Sequence, residues 1–163
     1  MGYDLKNANE QFRFSETAWH YVLDLAAEFG WQAMGTVLSE GTAKLYLTDE
    51  GASEEEAIQE TIRNWDGNYV GNTLQSVIDK DALNLANALE NALKVIPDKR
   101  KPEHNTLASL KDDGSIEHFF LERFIIGRRR SPDSPVDYFS GIENKNYLRE
   151  FIKFCRSGSF CIH

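Results

Sequence analysis

The chain has 163 residues, 41% of them hydrophobic and 12% aromatic, and a formal net charge of −8. That is enough apolar material to bury a core without disulfide staples, and it excludes a disordered acidic segment. Residues 1–96 hold sixteen Asp and Glu against six Lys and Arg, whereas residues 97–163 hold ten against twelve, so the acidity of the first part disfavours phosphate backbones and favours basic partners.

The opening Met-Gly-Tyr-Asp-Leu-Lys lacks the apolar centre of a signal peptide, and no apolar run approaches the length of a membrane span. Two cysteines, Cys155 and Cys161, supply no disulfide framework, so reduced thiols and a cytoplasmic location are expected.

Ser15 is placed to cap a first helix that Gly30 ends, with Trp19, Val22, Leu23, Ala26 and Phe29 on its buried side. Trp31 follows the glycine and reads as a packing residue folded back on that helix. Between residues 37 and 47, Ala43, Leu45 and Leu47 alternate with Lys44 and Tyr46, the pattern of a short strand limited by Ser39 and Gly41. Ser53-Glu54-Glu55-Glu56 is a capping box for a helix through Trp65. Its apolar set is Ala57, Ile58, Thr61, Ile62 and Trp65, which leaves Glu54, Glu55, Glu56 and Glu60 on an exposed face.

Asp66-Gly67-Asn68-Tyr69-Val70-Gly71-Asn72-Thr73 is rich in turn formers and leads to a short strand within Leu74–Ile78. Asp79 then reads as the N-cap of the most regular helix, closed by Pro97, with Ile78 and Leu83 as a hydrophobic staple. Ala82, Leu85, Ala86, Leu89, Ala92, Leu93 and Ile96 form its apolar stripe. Pro102 is placed to open a short helix carrying Leu107 and Leu110. Ser115 caps a more apolar helix over Ile116–Ile126, ended by Gly127 and followed by Arg128, Arg129 and Arg130. Ser131-Pro132-Asp133-Ser134-Pro135 reads as loop. Ser140 and Glu143 form a second capping box for a helix through Arg156 that buries Leu148, Phe151, Ile152 and Cys155, with Gly158 past its end. The tail from Ser159 alternates as a short strand suited to pairing with residues 74–78. The expected architecture is therefore mainly α: a single domain of about five or six helices around residues 82–96, with a minor short β element.

Three segments carry a likeness: the turn from Gly30-Trp31 to Gly35-Thr36, the helix from Asp81 to Glu90, and Phe154-Cys155-Arg156-Ser157-Gly158-Ser159-Phe160. Together they resemble a family of small uncharacterised bacterial proteins. The resemblance implies a bacterial origin and one compact domain, and brings no activity, cofactor or catalytic residue with it.

No nucleophile elbow, phosphate loop or paired Cys/His metal motif occurs. Glu117, His118 and Glu122 share a helix on which His118 and Glu122 lie one turn apart, but a metal site needs further ligands and none is spaced nearby, so ion pairing is the reading and no metal or cofactor is expected. Asp79 and Asp81 suit a helix start better than a cation. Cys155 falls at a core position, where a neutral thiol is expected rather than a nucleophile, while Cys161 on a terminal strand faces either inward or outward. Arg128, Arg129 and Arg130, beside Tyr138 and Phe139, suit a helix end or a protein contact before nucleic acid.

Two functions follow from these residues. The first is a protein-interaction module, immunity-like or regulatory, that meets a basic protein through Glu54, Glu55, Glu56 and Glu60, with Arg128 to Arg130 as a second contact. The alternative is a hydrolase or ligand-binding protein whose polar site is Asp66, Asn68, Tyr69 and Asn72.

Overall fold

The computed structural model describes residues 2–47, 53–71, 75–100 and 134–163. The helices expected around Leu107 and over Ile116–Ile126, with Glu117, His118 and Glu122, lie outside the described residues, as do Arg128 to Arg130, residues 131–133, Asn72 and Leu74.

The chain begins with a β-hairpin. Strand β1 (Gly2–Lys6) pairs antiparallel with β2 (Gln11–Ser15), and the turn closes through Asn7, whose carboxamide oxygen accepts from the backbone N–H of Asn9 and Glu10. Tyr3 and Leu5 are buried on β1 and Phe14 on β2, with the residues between them more exposed, the period-2 pattern of a half-buried sheet. Two three-residue strands complete it: β3 (Gln75–Val77) and β4 (Phe160–Ile162). The order is β2-β1-β4-β3, and every pairing is antiparallel. The C-terminal strand therefore lies between the N-terminal strand and the middle of the chain, and the register Val77↔Phe160 to Gln75↔Ile162 realises the pairing expected for the tail.

This four-stranded sheet overturns the mainly α expectation: the architecture mixes helices with an antiparallel sheet that joins both ends of the chain. The reason is local. Among the described residues no strand exceeds five residues, and the hairpin packs its aromatic side chains on helices, Phe14 on Trp19 of the next helix and Phe12 on Phe151 from far along the chain. Phe12 and Phe14 pack against Phe151 of a helix more than 130 positions later, tilted and edge-to-face, at centroid distances of 5.3 and 4.9 Å.

Helix α1 (Glu16–Glu28) begins where expected, the Ser15 hydroxyl accepting from Ala18 N, and it ends before Gly30, whose φ of +88° favours glycine. Residues 37–47 correct the strand expectation: Ser39 caps a single turn, α2 (Glu40–Ala43), which runs into a 3-10 turn over Lys44–Tyr46. Ala43 is buried and Leu47 packs on the same small core, but Leu45 between them is 76% exposed, so the alternating residues do not share one buried face. Helix α3 (Glu54–Arg63) starts at Ser53, whose hydroxyl accepts from Glu56 N and donates to the Glu56 carboxylate. Leu38, Ala43 and Ile58, with Leu47, Ile62 and Trp65 against them, form a second, smaller core under α2 and α3.

Helix α4 (Asp79–Leu93) buries Ala82, Leu85, Ala86, Leu89 and Ala92 as the stripe requires. Its start differs from expectation. Asp79 is already helical and makes no cap; its Oδ1 instead accepts from Ser159 N at 2.6 Å, anchoring the approach to β4. Ile78 and Leu83 remain 47% and 48% exposed, so the staple does not seal. Pro135, expected in loop, is the first residue of the short helix α5 (Pro135–Tyr138), capped by Ser134. Helix α6 (Ile142–Arg156) follows, and here too the second capping box is replaced. Its N-cap is Gly141 at φ +100°, and a Cβ at Gly141 would lie 3.3 Å from Arg100 Cβ. The Ser140 hydroxyl donates instead to Asp137 O. Helix α4 packs mainly on α6, with α1 against α4 and α5. Lys145 of α6, 8% exposed, donates to the Ile96 carbonyl just past α4 and pairs with Asp98 at 2.7 Å, which holds that carboxyl below its usual range.

Candidate functional site

Turn chemistry holds the first half of the loop after α3. Asn68 donates to Asp66 at 2.8 Å and accepts from Val70 N, an Asx turn that sets Tyr69 at a φ of +68°. That conformation drives Tyr69 inward until it is 1% exposed. Its N–H donates to Gln75 Oε1, its carbonyl accepts from Trp19 Nε1, and its hydroxyl donates to Asp81 Oδ2 at 2.8 Å. Tyr3 then donates to the Val70 carbonyl and Gln75 to that of Gly71. Of the four proposed ligand residues, Asp66 and Asn68 are exposed with their side chains bonded to each other and to the loop, Tyr69 is in the core, and Asn72 lies outside the described residues.

Asp81 stands in the first turn of α4 as expected, and what sequence reasoning missed is its burial. The side chain is fully buried, and its carboxylate accepts three hydrogen bonds, from Trp31 Nε1 at 2.9 Å, Met34 N at 2.8 Å and the Tyr69 hydroxyl. Three donors around one carboxylate in the first turn of α4 satisfy a buried negative charge without a cation. Trp31 is thus both packed and bonded. A signal existed: Asp81 precedes Leu85, Ala88 and Ala92 by four, seven and eleven positions, which places it on the buried face of the helix. The same loops meet again where Thr36 N donates to the Gly67 carbonyl at 3.0 Å and Trp65 Nε1 to the Thr36 carbonyl. A Cβ at Gly67 would sit 2.3 Å from Thr36 O, so the close approach requires glycine.

Burial first, then the bond to Asp81 and its charge, raises the Tyr69 phenol well above its ordinary value of 10.0, and burial alone raises the Cys155 thiol. Both groups keep their protons when folded at pH values where the unfolded chain loses them. Unfolding is therefore favoured as pH climbs past the ordinary thiol and phenol values. Stability measured by urea melts is expected to fall above about pH 9. In Tyr69→Phe the part of that loss above about pH 10 should shrink; an identical alkaline profile would mean that the phenol is solvated.

The acidic face is placed as expected. Glu54, Glu55, Glu56 and Glu60 are all exposed on α3. Glu54 pairs with Lys44 at 2.8 Å, which lowers its carboxyl value, and Glu56 holds the Ser53 cap; Glu55 and Glu60 make no ion pair among the described residues. Cys155 is buried and inert in position, and Cys161, half-buried, lies 3.5 Å from the Ser76 hydroxyl. Among the described residues no group of three His, Cys, Asp or Glu side chains is arranged to hold a metal ion, and no helix is long and apolar enough to cross a membrane.

A shallow groove of about 450 Å³ runs between the end of α1 and α4. Phe29 to Gln32 form one wall, and Asn84, Asn87, Ala88 and Asn91 the other. Compared with known proteins, the chain matches no family model, no curated protein and no solved structure.

Proposed function

We propose that the protein is a cytoplasmic interaction module, immunity-like or regulatory, whose acidic α3 face meets a basic protein. The observation that carries this reading is a contrast in how polar groups are used. Around the 66–71 loop, Asn68, Tyr69 and Gln75 are occupied by bonds that hold the loop to the core, whereas Glu55 and Glu60 stand exposed with no partner among the described residues. Charges free to act over a Debye length steer an encounter; carboxamides already bonded recruit little.

Glu55→Lys/Glu60→Lys tests it, because the Ser53–Glu56 cap and the Lys44–Glu54 pair stay intact. Reversal at the first turn costs less than about 1 kcal/mol of helix-dipole energy, so the fold survives, with circular dichroism as the control. A basic partner captured with wild-type protein should associate about three- to tenfold more slowly with the variant at low ionic strength, the two rates converging at high salt. Equal rates at every salt concentration remove the steering role, and tight binding of duplex DNA at physiological salt removes the basic-protein partner. The reducing location carries its own expectation: thiol titration of denatured, unreduced protein should count both cysteines, and a count of none would mean a disulfide and an oxidising compartment.

A further inference from the structure

The four-stranded sheet has two edges, β3 and β2. Antiparallel pairing alternates residues that bond their neighbour with residues that turn their N–H and C=O away from it. On β3 the outward residue is Ser76, and the Thr36 hydroxyl takes both of its groups, accepting from Ser76 N at 2.9 Å and donating to Ser76 O at 3.0 Å. That edge is closed. On β2 the outward residues are Gln11 and Arg13, because Asp4 uses both of its backbone groups on His163 and so leaves Arg13, opposite it, facing outside. Among the described residues one bond reaches Gln11 and Arg13 from that side, from the Tyr147 hydroxyl of α6 to the Arg13 carbonyl. The ring that carries it packs on Phe12 and Phe14 at centroid distances of 4.8 and 5.4 Å.

We propose that the Tyr147 hydroxyl is an edge lock, which keeps β2 from pairing with β2 of a second copy of this chain. An edge strand with free N–H and C=O groups is a template for another strand. The strand to be excluded is the chain's own, because β2 complements itself. In a two-fold antiparallel pair centred on Phe12, Gln11 of each copy faces Arg13 of the other, and every outward N–H meets an outward C=O. Centring the pair on Arg13 would set two guanidinium groups face to face. The Phe12-centred pair needs the Arg13 carbonyl of both copies as an acceptor for Gln11 N–H, and that oxygen is the one Tyr147 holds. A hydroxyl bonded there also stands where the incoming amide must lie. The lock is separate from α3 and does not rest on the acidic reading.

The test is sedimentation equilibrium of the full chain as wild type and as Tyr147→Phe. Phenylalanine keeps the ring against Phe12 and Phe14 and removes only the hydroxyl, so the fold survives, with circular dichroism as the control. The variant should dimerise at least about tenfold more tightly than wild type. Tyr147→Leu, a second side chain without a hydroxyl, should associate likewise. In Tyr147→Phe/Gln11→Pro the dimer should be lost, because proline removes the outward N–H that the mate needs and leaves the bonds to β1 intact. Hydrogen exchange locates the contact: the Gln11 and Arg13 amides should become protected as the concentration of Tyr147→Phe rises, and stay unprotected in wild type. The proposal is overturned if neither variant at Tyr147 associates more tightly than wild type, if wild type itself pairs through β2, if Gln11→Pro leaves the association unchanged, or if the newly protected amides lie outside β2.

Discussion

Asp81→Ala is expected to lower the free energy of unfolding by about 3–5 kcal/mol. The substitution removes the one acceptor shared by Trp31 Nε1, Met34 N and the Tyr69 hydroxyl, and two of those donors are buried. Each buried donor left without a partner costs about 1–3 kcal/mol, while the relief of removing a buried charge offsets only part of that sum. Asp81→Asn recovers little, because one carboxylate oxygen becomes an NH2 that faces donors. Asp79→Ala, two positions earlier, should cost only about 1 kcal/mol, since Asp79 is exposed and loses a single bond from Ser159 N. Urea melts of the three variants, read by tryptophan fluorescence, give the ranking. A loss below about 1 kcal/mol for Asp81→Ala would mean that water replaces the carboxylate and the network does not hold the loop.

The same network shows what was legible in the sequence. The caps of α1 and α3 could be read because Ser15 and Ser53 act on amides three residues away, within one turn of chain. The stripe of α4 could be read because its period is a property of the helix alone. The hairpin was not legible, since the burial of Phe12 and Phe14 depends on Phe151 and Phe154 from the far end of the chain. Asp79, Asp81 and Ser140 all have the residue type of a helix start, yet their side chains bond elsewhere: to Ser159 just before β4, to Trp31, Met34 and Tyr69, and to the Asp137 carbonyl. Local propensity names what a side chain is able to do, and tertiary neighbours select among those options. The candidate site divides the same way. Exposure of the four α3 acids followed from periodicity, whereas the inward turn of Tyr69 needed a positive φ that only the folded loop imposes.

Leu89→Ala, in the middle of α4, is the second large expected effect, at about 2–5 kcal/mol. Leu89 is fully buried on the helix that packs against both α6 and α1, so the cavity left behind is enclosed on more than one side and collapses poorly. Leu83, on the same helix but 48% exposed, supplies the internal comparison. Leu83→Ala removes the same three carbons where water already reaches them, and alanine's better helix propensity offsets a little of the loss, so its cost should stay below about 1 kcal/mol. Paired urea melts with unchanged m-values separate the two sites cleanly, because a shift in midpoint then reports stability rather than a change in the unfolded state. Equal, small effects at both positions would place Leu89 at a surface and remove α4 from the centre of the fold; with α4 displaced, Asp81 would lose the face that presents it to Trp31 and Tyr69.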